Sequence, residues 1–404
     1  MVLLAWLMSS HRRRFPWRVV IGGMGLQITL AWAILGSPER RAVFQRIGDV
    51  FTHLLSFVDS GCEFVFGENY TDFYFAFRVL PTIIFFSSLM GVLYHIGVLQ
   101  FVVRMLSYVM QYTLRTSGAE SLSAAANIFV GQTEAPFVIS PYIPRMTQSE
   151  LMAVMVGGFA TVAGGVLAVY IGFGVDAGHL VAASFISAPA GLVIAKVMLP
   201  ETETPETLGI SGKAIPRQTI NLVEAATNGA TDGLKLALNV AAMLIAFMAL
   251  IALVDFVLTE SSTWILGTVL GWEDFTPVTL AWICGHLFRP LAFVMGIPWQ
   301  DCFYCGQLLG LKMVANELVA YQQMSEWLAG GDGMPVLQER SYTIMTYALC
   351  GFSNFASIGI QVGGIGGLAP SRRQDLARLG VRAMLGGTLA CLMTACVAGF
   401  MLPS

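Results

Sequence analysis

The chain has 404 residues, 56% hydrophobic and 12% charged, with mean hydropathy +0.70 and a formal net charge of -3. Soluble domains carry about 25% charged residues, so this composition excludes one and implies a polytopic membrane protein. The few charges sit in short connecting segments rather than on one basic face, so no nucleic-acid partner is implied.

Residues 2 to 8 are apolar and stop at His11-Arg12-Arg13-Arg14, short of the roughly 20 residues that a spanning helix needs. The basic residues follow the apolar stretch, the reverse of a signal peptide, so the segment reads as the tail of a first helix. Residues 19 to 36 make the first full span, and the aromatic, charged stretch 37 to 73 suits an interface. Residues 75 to 100 span again, followed by a short interfacial helix near 101 to 116.

The next segment, SAAANIFVGQTEAPFVISPYIPRMTQSE at 123 to 150, places Asn127, Gln132, Thr133 and Glu134 in an otherwise apolar or small run. Amide and ionisable groups at membrane depth cost several kcal/mol unless partnered, so they usually mark a substrate or ion pathway. Gly131 and Pro136 bracket them, and a helix broken there frees backbone groups tolerable only beside a cavity or within protein. The segment reads as the tip of a re-entrant hairpin; the bland alternative is a cytoplasmic loop.

Spans follow at 149 to 174 and 180 to 200, and the polar linker 201 to 222, with Pro205 and Pro216, divides the chain. The second half has a span at 234 to 258, an interfacial stretch at 261 to 276, and an apolar helix from 278 to 297 before Pro298. Residues 301 to 328 carry Asn316 and Glu317 between apolar flanks, a second broken segment, and spans at 341 to 366 and 379 to 402 close the chain. This is an all-α fold of about eight transmembrane helices, the first truncated, with two re-entrant hairpins and interfacial helices.

Short cytoplasmic loops carry excess Lys and Arg. Arg12 to Arg18, Arg104, Arg115, Lys213, Arg217, Arg372, Arg373, Arg378 and Arg382 fall on one side of this count; Arg40, Arg41 and Arg46 break the pattern. Of the seven cysteines, Cys350, Cys391 and Cys396 lie in apolar runs, and Cys302 and Cys305 form a lone CxxC without nearby histidines, so no metal or redox site is expected. No HExxH, nucleophile elbow or Walker pattern occurs. GGIGG at 363 to 367 follows no strand and reads as a site of close helix packing.

A repeat crosses the linker. GGFATVAGG at 157 to 165 aligns with CGFSNFASI at 350 to 358, pairing Gly158 with Gly351, Phe159 with Phe352, Thr161 with Asn354 and Ala163 with Ala356. Each string follows a polar-tipped hairpin and precedes one closing helix, and the charge count gives the two units opposite topology. Inverted repeats with interrupted helices are the signature of secondary transporters.

The strings SAAANIFVGQTEAP, PRMTQSELMAVM, LVAASF, VANELVAY, ALCGFSN, SIGI, LAPSRR and DLARLGVRA resemble the bacterial concentrative nucleoside transporters, in that family's order from about Phe77 to the C-terminus. The resemblance implies a sodium-coupled nucleoside symporter in the bacterial cytoplasmic membrane, a homotrimer embedded in lipid, with no cofactor beyond Na+. It divides the chain into scaffold helices (1 to 100), transport repeat 1 (101 to 222), a scaffold helix and interfacial segment (223 to 277), and transport repeat 2 (278 to 404). The family's first helix is full length, whereas residues 2 to 10 are its remnant here.

A uracil edge offers two carbonyl acceptors and one N–H, which a carboxamide such as Gln132 matches. By resemblance Gln132 and Thr133 contact the base, Glu134 acts through water, Val166 and Phe352 form apolar walls, and Glu317, Asn354 and Ser357 bind ribose. The same resemblance assigns sodium to the side chains of Asn127 and Thr161 and the carbonyls of Val130 and Val162. The family commonly has serine at the Thr161 position, so the hydroxyl is kept and a methyl added. Three rivals stand beside this reading: proton coupling through Glu134, a membrane-embedded enzyme pairing Glu134 with Glu317, and a passive channel.

Overall fold

The computed structural model describes residues 1–208, 219–271, 276–330 and 334–402; Lys213, Pro216 and Arg217 of the linker and 272–275 of the second interfacial stretch lie outside them. Every regular element among the described residues is helical.

The short α1 (Val2–Leu7) leads into α2 (Trp17–Leu35). The predicted interfacial stretch is one long helix, α3 (Pro38–Phe66), capped by the Ser37 hydroxyl, which accepts the Arg40 N–H at 3.4 Å. Proline is tolerated in a first turn, where its missing N–H would be unpaired anyway, and no other proline interrupts the helix before Gly67 ends it at φ 83. Next come α4 (Leu80–Ile96) and α5 (Val98–Leu114), separated by Gly97 at φ 96, so the predicted span ends four residues early.

The first hairpin has only one helical arm, α6 (Gly118–Ala126); its return is two short 3-10 turns, Ala135–Ile139 and Ile143–Arg145. Pro136, Pro141 and Pro144 remove three amide donors within nine positions, which an α-helix cannot absorb. The span predicted at 149 to 174 is two helices, α7 (Gln148–Ala160) and α8 (Gly164–Gly172), and α9 (Ala177–Met198) follows almost wholly buried.

The second half opens with α10 (Leu222–Ser262), 41 residues and so about 60 Å long, twice a hydrocarbon core. It crosses α4 closely, because a Cβ at Gly229 would stand 2.5 Å from the Ser87 carbonyl oxygen and one at Gly233 2.8 Å from the Ile84 Cα. Then come α11 (Leu280–Val294), α12 (Cys302–Val314) and α13 (Glu317–Ala329), the last two forming the second broken segment. The span predicted at 341 to 366 is again divided, into α14 (Glu339–Leu349) and α15 (Phe355–Leu368), and α16 (Arg373–Met401) closes the chain. Among the described residues, six helical stretches are long and apolar enough to cross a membrane, matching six of the predicted spans.

The broken helices run in opposite directions. The start of α7 lies where Ser149 donates to the Leu199 carbonyl (2.7 Å), and α8 ends at Phe173, whose carbonyl accepts from Ser325. By contrast α14 begins beside the far end, with Tyr342 reaching the Gly174 carbonyl (3.5 Å), and α15 leads to Arg372, which donates to the Met146 carbonyl (2.5 Å). The predicted inversion is therefore physical.

Arg382 and the Ser10 amide both donate to the Met198 carbonyl, which gathers the basic segments around residues 10, 145, 372 and 382 at one end. The irregular arginines fall at the other end, since Gln45 of α3 packs on Gly178.

At the basic end, two capped helix starts are fused. Ser117 and Thr147 each form a capping box, with Glu120 and Glu150, and Ser117 Oγ donates to Glu150 Oε1 at 2.6 Å. The Lys196 ammonium, buried near the end of α9, sits 2.7 Å from Glu120 and 3.3 Å from Glu201 and donates to Ser149 Oγ at 3.0 Å. These buried charges are paired, as the apolar surroundings demand, and they join α6, α7 and α9 into one unit.

Candidate functional site

Both helix breaks reach the centre of the protein, and they touch: the Phe352 amide donates to the Thr161 carbonyl at 3.3 Å. In the first hairpin α6 stops at Asn127 and the chain turns through 127–134. Glu134 closes this turn, its Oε2 accepting the Gly131 amide at 3.1 Å. In the second repeat Asn354 starts α15, its Oδ1 accepting the Ser357 amide at 2.9 Å, and Asn316 starts α13 by accepting the Val319 amide at 3.0 Å. Both asparagines thus serve as N-caps, which answers the freed amides that the breaks create.

The predicted polar residues meet as two hydrogen-bonded pairs. Gln132 Nε2 donates to Ser357 Oγ at 3.2 Å, and Asn354 Nδ2 donates to Glu317 Oε2 at 3.1 Å. Glu317 is 3% exposed, and its second oxygen accepts from the Tyr170 hydroxyl at 2.9 Å. Val166 is buried in the same part of α8, whereas Phe352 is half-buried. Thr133 packs against Gly364, where a Cβ would come within 2.7 Å of the threonine methyl, so GGIGG does allow close approach.

A cavity of about 380 Å³ separates the first hairpin from α4 and α10, and it is lined by Met90, Tyr94, Val130, Glu134, Asn228 and Asp232 among others. That volume suits a small ligand. The cavity takes in Glu134 and Val130 but not Gln132, Glu317, Asn354 or Ser357, which satisfy one another.

The residues assigned to sodium form a separate group. Asn127 is 1% exposed; its Nδ2 donates to the Ser123 carbonyl at 3.1 Å, and its Oδ1 has no hydrogen-bond partner among the described residues. Thr161 Oγ1 donates its proton to the Gly157 carbonyl at 2.9 Å, leaving the oxygen lone pairs available. A Cβ on that same Gly157 would lie 3.5 Å from Asn127 Nδ2, and the Gly164 amide donates to the Phe129 carbonyl at 3.0 Å, so the hairpin turn abuts the break of the next helix. The carbonyls of Val130 and Val162 accept no hydrogen bond among those described. An unpartnered buried oxygen beside a hydroxyl and free carbonyls is a hard-oxygen set that fits an alkali cation.

Sequence reasoning missed Tyr170, Gln361 and the polar face of α10. Tyr170 sits in an apolar run and stacks on Tyr321 with ring centroids 4.4 Å apart, so nothing in the string distinguishes it from core. Cys302 Sγ donates to the Ile297 and Pro298 carbonyls at 3.3 Å, an ordinary use of a buried thiol.

Three family models match the chain: "Na+ dependent nucleoside transporter C-terminus" over residues 179–399, "Na+ dependent nucleoside transporter N-terminus" over 1–69, and "Nucleoside recognition" over 76–177. "Solute carrier family 28 member 3" of Rattus norvegicus is 44% identical over 99% of this chain and 57% of its own length, so the chain spans a little over half of that relative. "Sodium/nucleoside cotransporter 1" of Mus musculus is 42% identical over 99% of this chain and 62% of its own length. An "Uncharacterized transporter" of Haemophilus influenzae is 45% identical over 99% of this chain and 95% of its own. Among solved structures, that of "CNTnw in an inward-facing substrate-bound state" matches with a TM-score of 0.90 at 42% identity, covering 99% of this chain and 95% of that one.

Proposed function

The chain belongs to the Na+-dependent nucleoside transporter family, and from that premise we propose that it is a secondary symporter importing uridine-like nucleosides on a sodium gradient. Glu317 carries the reading. A carboxylate buried this deeply, held by Tyr170 and Asn354 where two oppositely directed breaks meet, is costly to the fold and has the acceptor chemistry that ribose hydroxyls need. Gln132 and Thr133 read the base, Glu134 acts through water from the cavity, Val166 and Phe352 flank the ring, and Asn354 and Ser357 complete the ribose contacts. Sodium sits among Asn127, Thr161 and the carbonyls of Val130 and Val162.

The unit fused at Lys196 supports an elevator movement, in which residues 101–222 and 278–404 travel against a scaffold of 1–100 and 223–277. In this reading the assembly is a homotrimer in the bacterial cytoplasmic membrane, its outer helices facing lipid. The relatives are transporters, and the enzyme reading falls with that. Glu134 and Glu317 also hold different structures, a turn amide in one case and a tyrosine and an asparagine in the other.

Uptake of labelled uridine into proteoliposomes is the test. Accumulation above equilibrium under an inward sodium gradient, with unchanged uridine recovered inside, is expected; equilibration without any gradient dependence would make the protein a channel instead.

Tyr170→Phe removes one bond to the Glu317 carboxylate. A hydrogen bond to a charged group is worth about 1.5–3 kcal/mol net, so uridine affinity should fall about tenfold with the fold intact. Calorimetric titration of the purified variant measures it, and unaltered affinity would reduce Tyr170 to a packing group.

A further inference from the structure

Gln361 lies on α15 with 0% of its surface exposed, and its Nε2 makes two bonds: 3.1 Å to the Met155 carbonyl of α7 and 3.0 Å to Gln132 Oε1. A backbone carbonyl can only accept. Gln361 must therefore turn its amino group toward Met155, and the second N–H of that group then faces Gln132. Gln132 must answer with its oxygen, which leaves its own Nε2 for Ser357 Oγ, where the structure places it at 3.2 Å. The orientation of a carboxamide, usually a matter of choice, is thus fixed through three residues from a main-chain oxygen.

We propose that Gln361 is a positioning residue that sets which end of the Gln132 carboxamide is donor and which is acceptor toward the nucleobase, and so bears on base recognition. The proposal rests on the reading that Gln132 contacts the base. With one lone pair and one N–H committed, Gln132 keeps one acceptor and one donor at defined ends. Uracil presents an N–H at ring position 3 beside the carbonyl at 4, while cytosine presents a bare nitrogen at 3 beside an amino group at 4. An amide fixed in one direction can match only one of these pairs at a given placement; a reversed amide matches the other. Gly158 makes the approach possible, since a Cβ there would stand 2.8 Å from Gln361 Nε2 and 3.0 Å from Gln132 Cβ.

The test is a double-mutant cycle of Gln361→Met, which fills the space without donating, and Gln132→Ala, with sodium-dependent uridine affinity as readout. Gln361→Met is expected to weaken uridine about fivefold alone and to add nothing in the Gln132→Ala background. Gln361→Glu, whose added oxygen can accept a hydrogen bond from the Gln132 amino group and so turn that amide over, should shift the ratio of uridine to cytidine affinity about fivefold or more. Gly158→Ala, expected to weaken uridine in the same way, covers the case where a Gln361 variant fails to fold. Wild-type affinity in Gln361→Met, with Gln132→Ala weakened, would overturn the positioning role alone, as would penalties that simply add. Wild-type affinity in Gln132→Ala would instead remove the base contact itself.

Discussion

Glu317→Gln should bind uridine at least tenfold more weakly than the unaltered protein and remain folded. Both oxygens of Glu317 accept, one from the Tyr170 hydroxyl and one from Asn354 Nδ2. A carboxamide of the same shape offers one acceptor and one donor, so one partner must lose its bond or turn away. Asn354 has little freedom to turn, because its Oδ1 already caps α15 through the Ser357 amide. The ribose hydroxyls then lose an ionised acceptor, and hydrogen bonds to charged groups are worth about 1.5–3 kcal/mol net, against about 1.4 kcal/mol per tenfold in affinity. The fold survives because a neutral group costs less to bury than a carboxylate. Affinity should be measured alongside a thermal melt, and a well-folded Glu317→Gln protein with unaltered uridine affinity would remove the residue from the site. Free uracil, which lacks ribose, should likewise bind far more weakly than uridine; equal affinities would contradict the roles of Glu317, Asn354 and Ser357.

The polar interruptions were readable because each breaks a strong regularity. Asn127, Gln132 to Glu134 and Asn316-Glu317 stand between apolar or small flanks, and the GGFATVAGG and CGFSNFASI strings mark where α7 and α14 stop. A helix end leaves a local signature in glycine and capping residues. A side chain that serves another part of the chain leaves none. Lys196 at the end of an apolar span looks like a lysine reaching for the headgroups, yet it is buried on Glu120 and Glu201. Tyr170 and Gln361 likewise look like helix filling, because their partners Glu317 and Gln132 lie far away in sequence. The return arm of the first hairpin is a different case: Pro136, Pro141 and Pro144 announce irregular backbone, and the expectation of a helical hairpin underweighted them.

Asn127→Ala should abolish the dependence of uridine affinity on sodium. Sodium and nucleoside can be coupled only if each binds better when the other is present, and linkage requires the two enhancements to be equal. The geometry supplies the connection: Asn127 and Gln132 lie on one turn, and the break at Thr161 touches Phe352 of the opposite repeat. A cation drawing Asn127 Oδ1, Thr161 Oγ1 and the Val130 carbonyl together would fix that turn, and Gln132 to Glu134 with it. Alanine removes a side-chain oxygen that is buried and, among the described residues, without a partner, so it deletes a ligand without breaking an oxygen-accepted bond. Only the Nδ2 bond to the Ser123 carbonyl is lost. In the unaltered protein, uridine affinity should fall clearly when choline replaces sodium at fixed pH; in Asn127→Ala the two affinities should coincide near the choline value. Thr161→Ser, which keeps the hydroxyl, should retain the sodium response. Glu134 gives proton coupling its foothold, as it is a carboxylate on the cavity that accepts the Gly131 amide. Uptake that ignores sodium in the unaltered protein but follows an imposed pH gradient would transfer the coupling from Asn127 to Glu134.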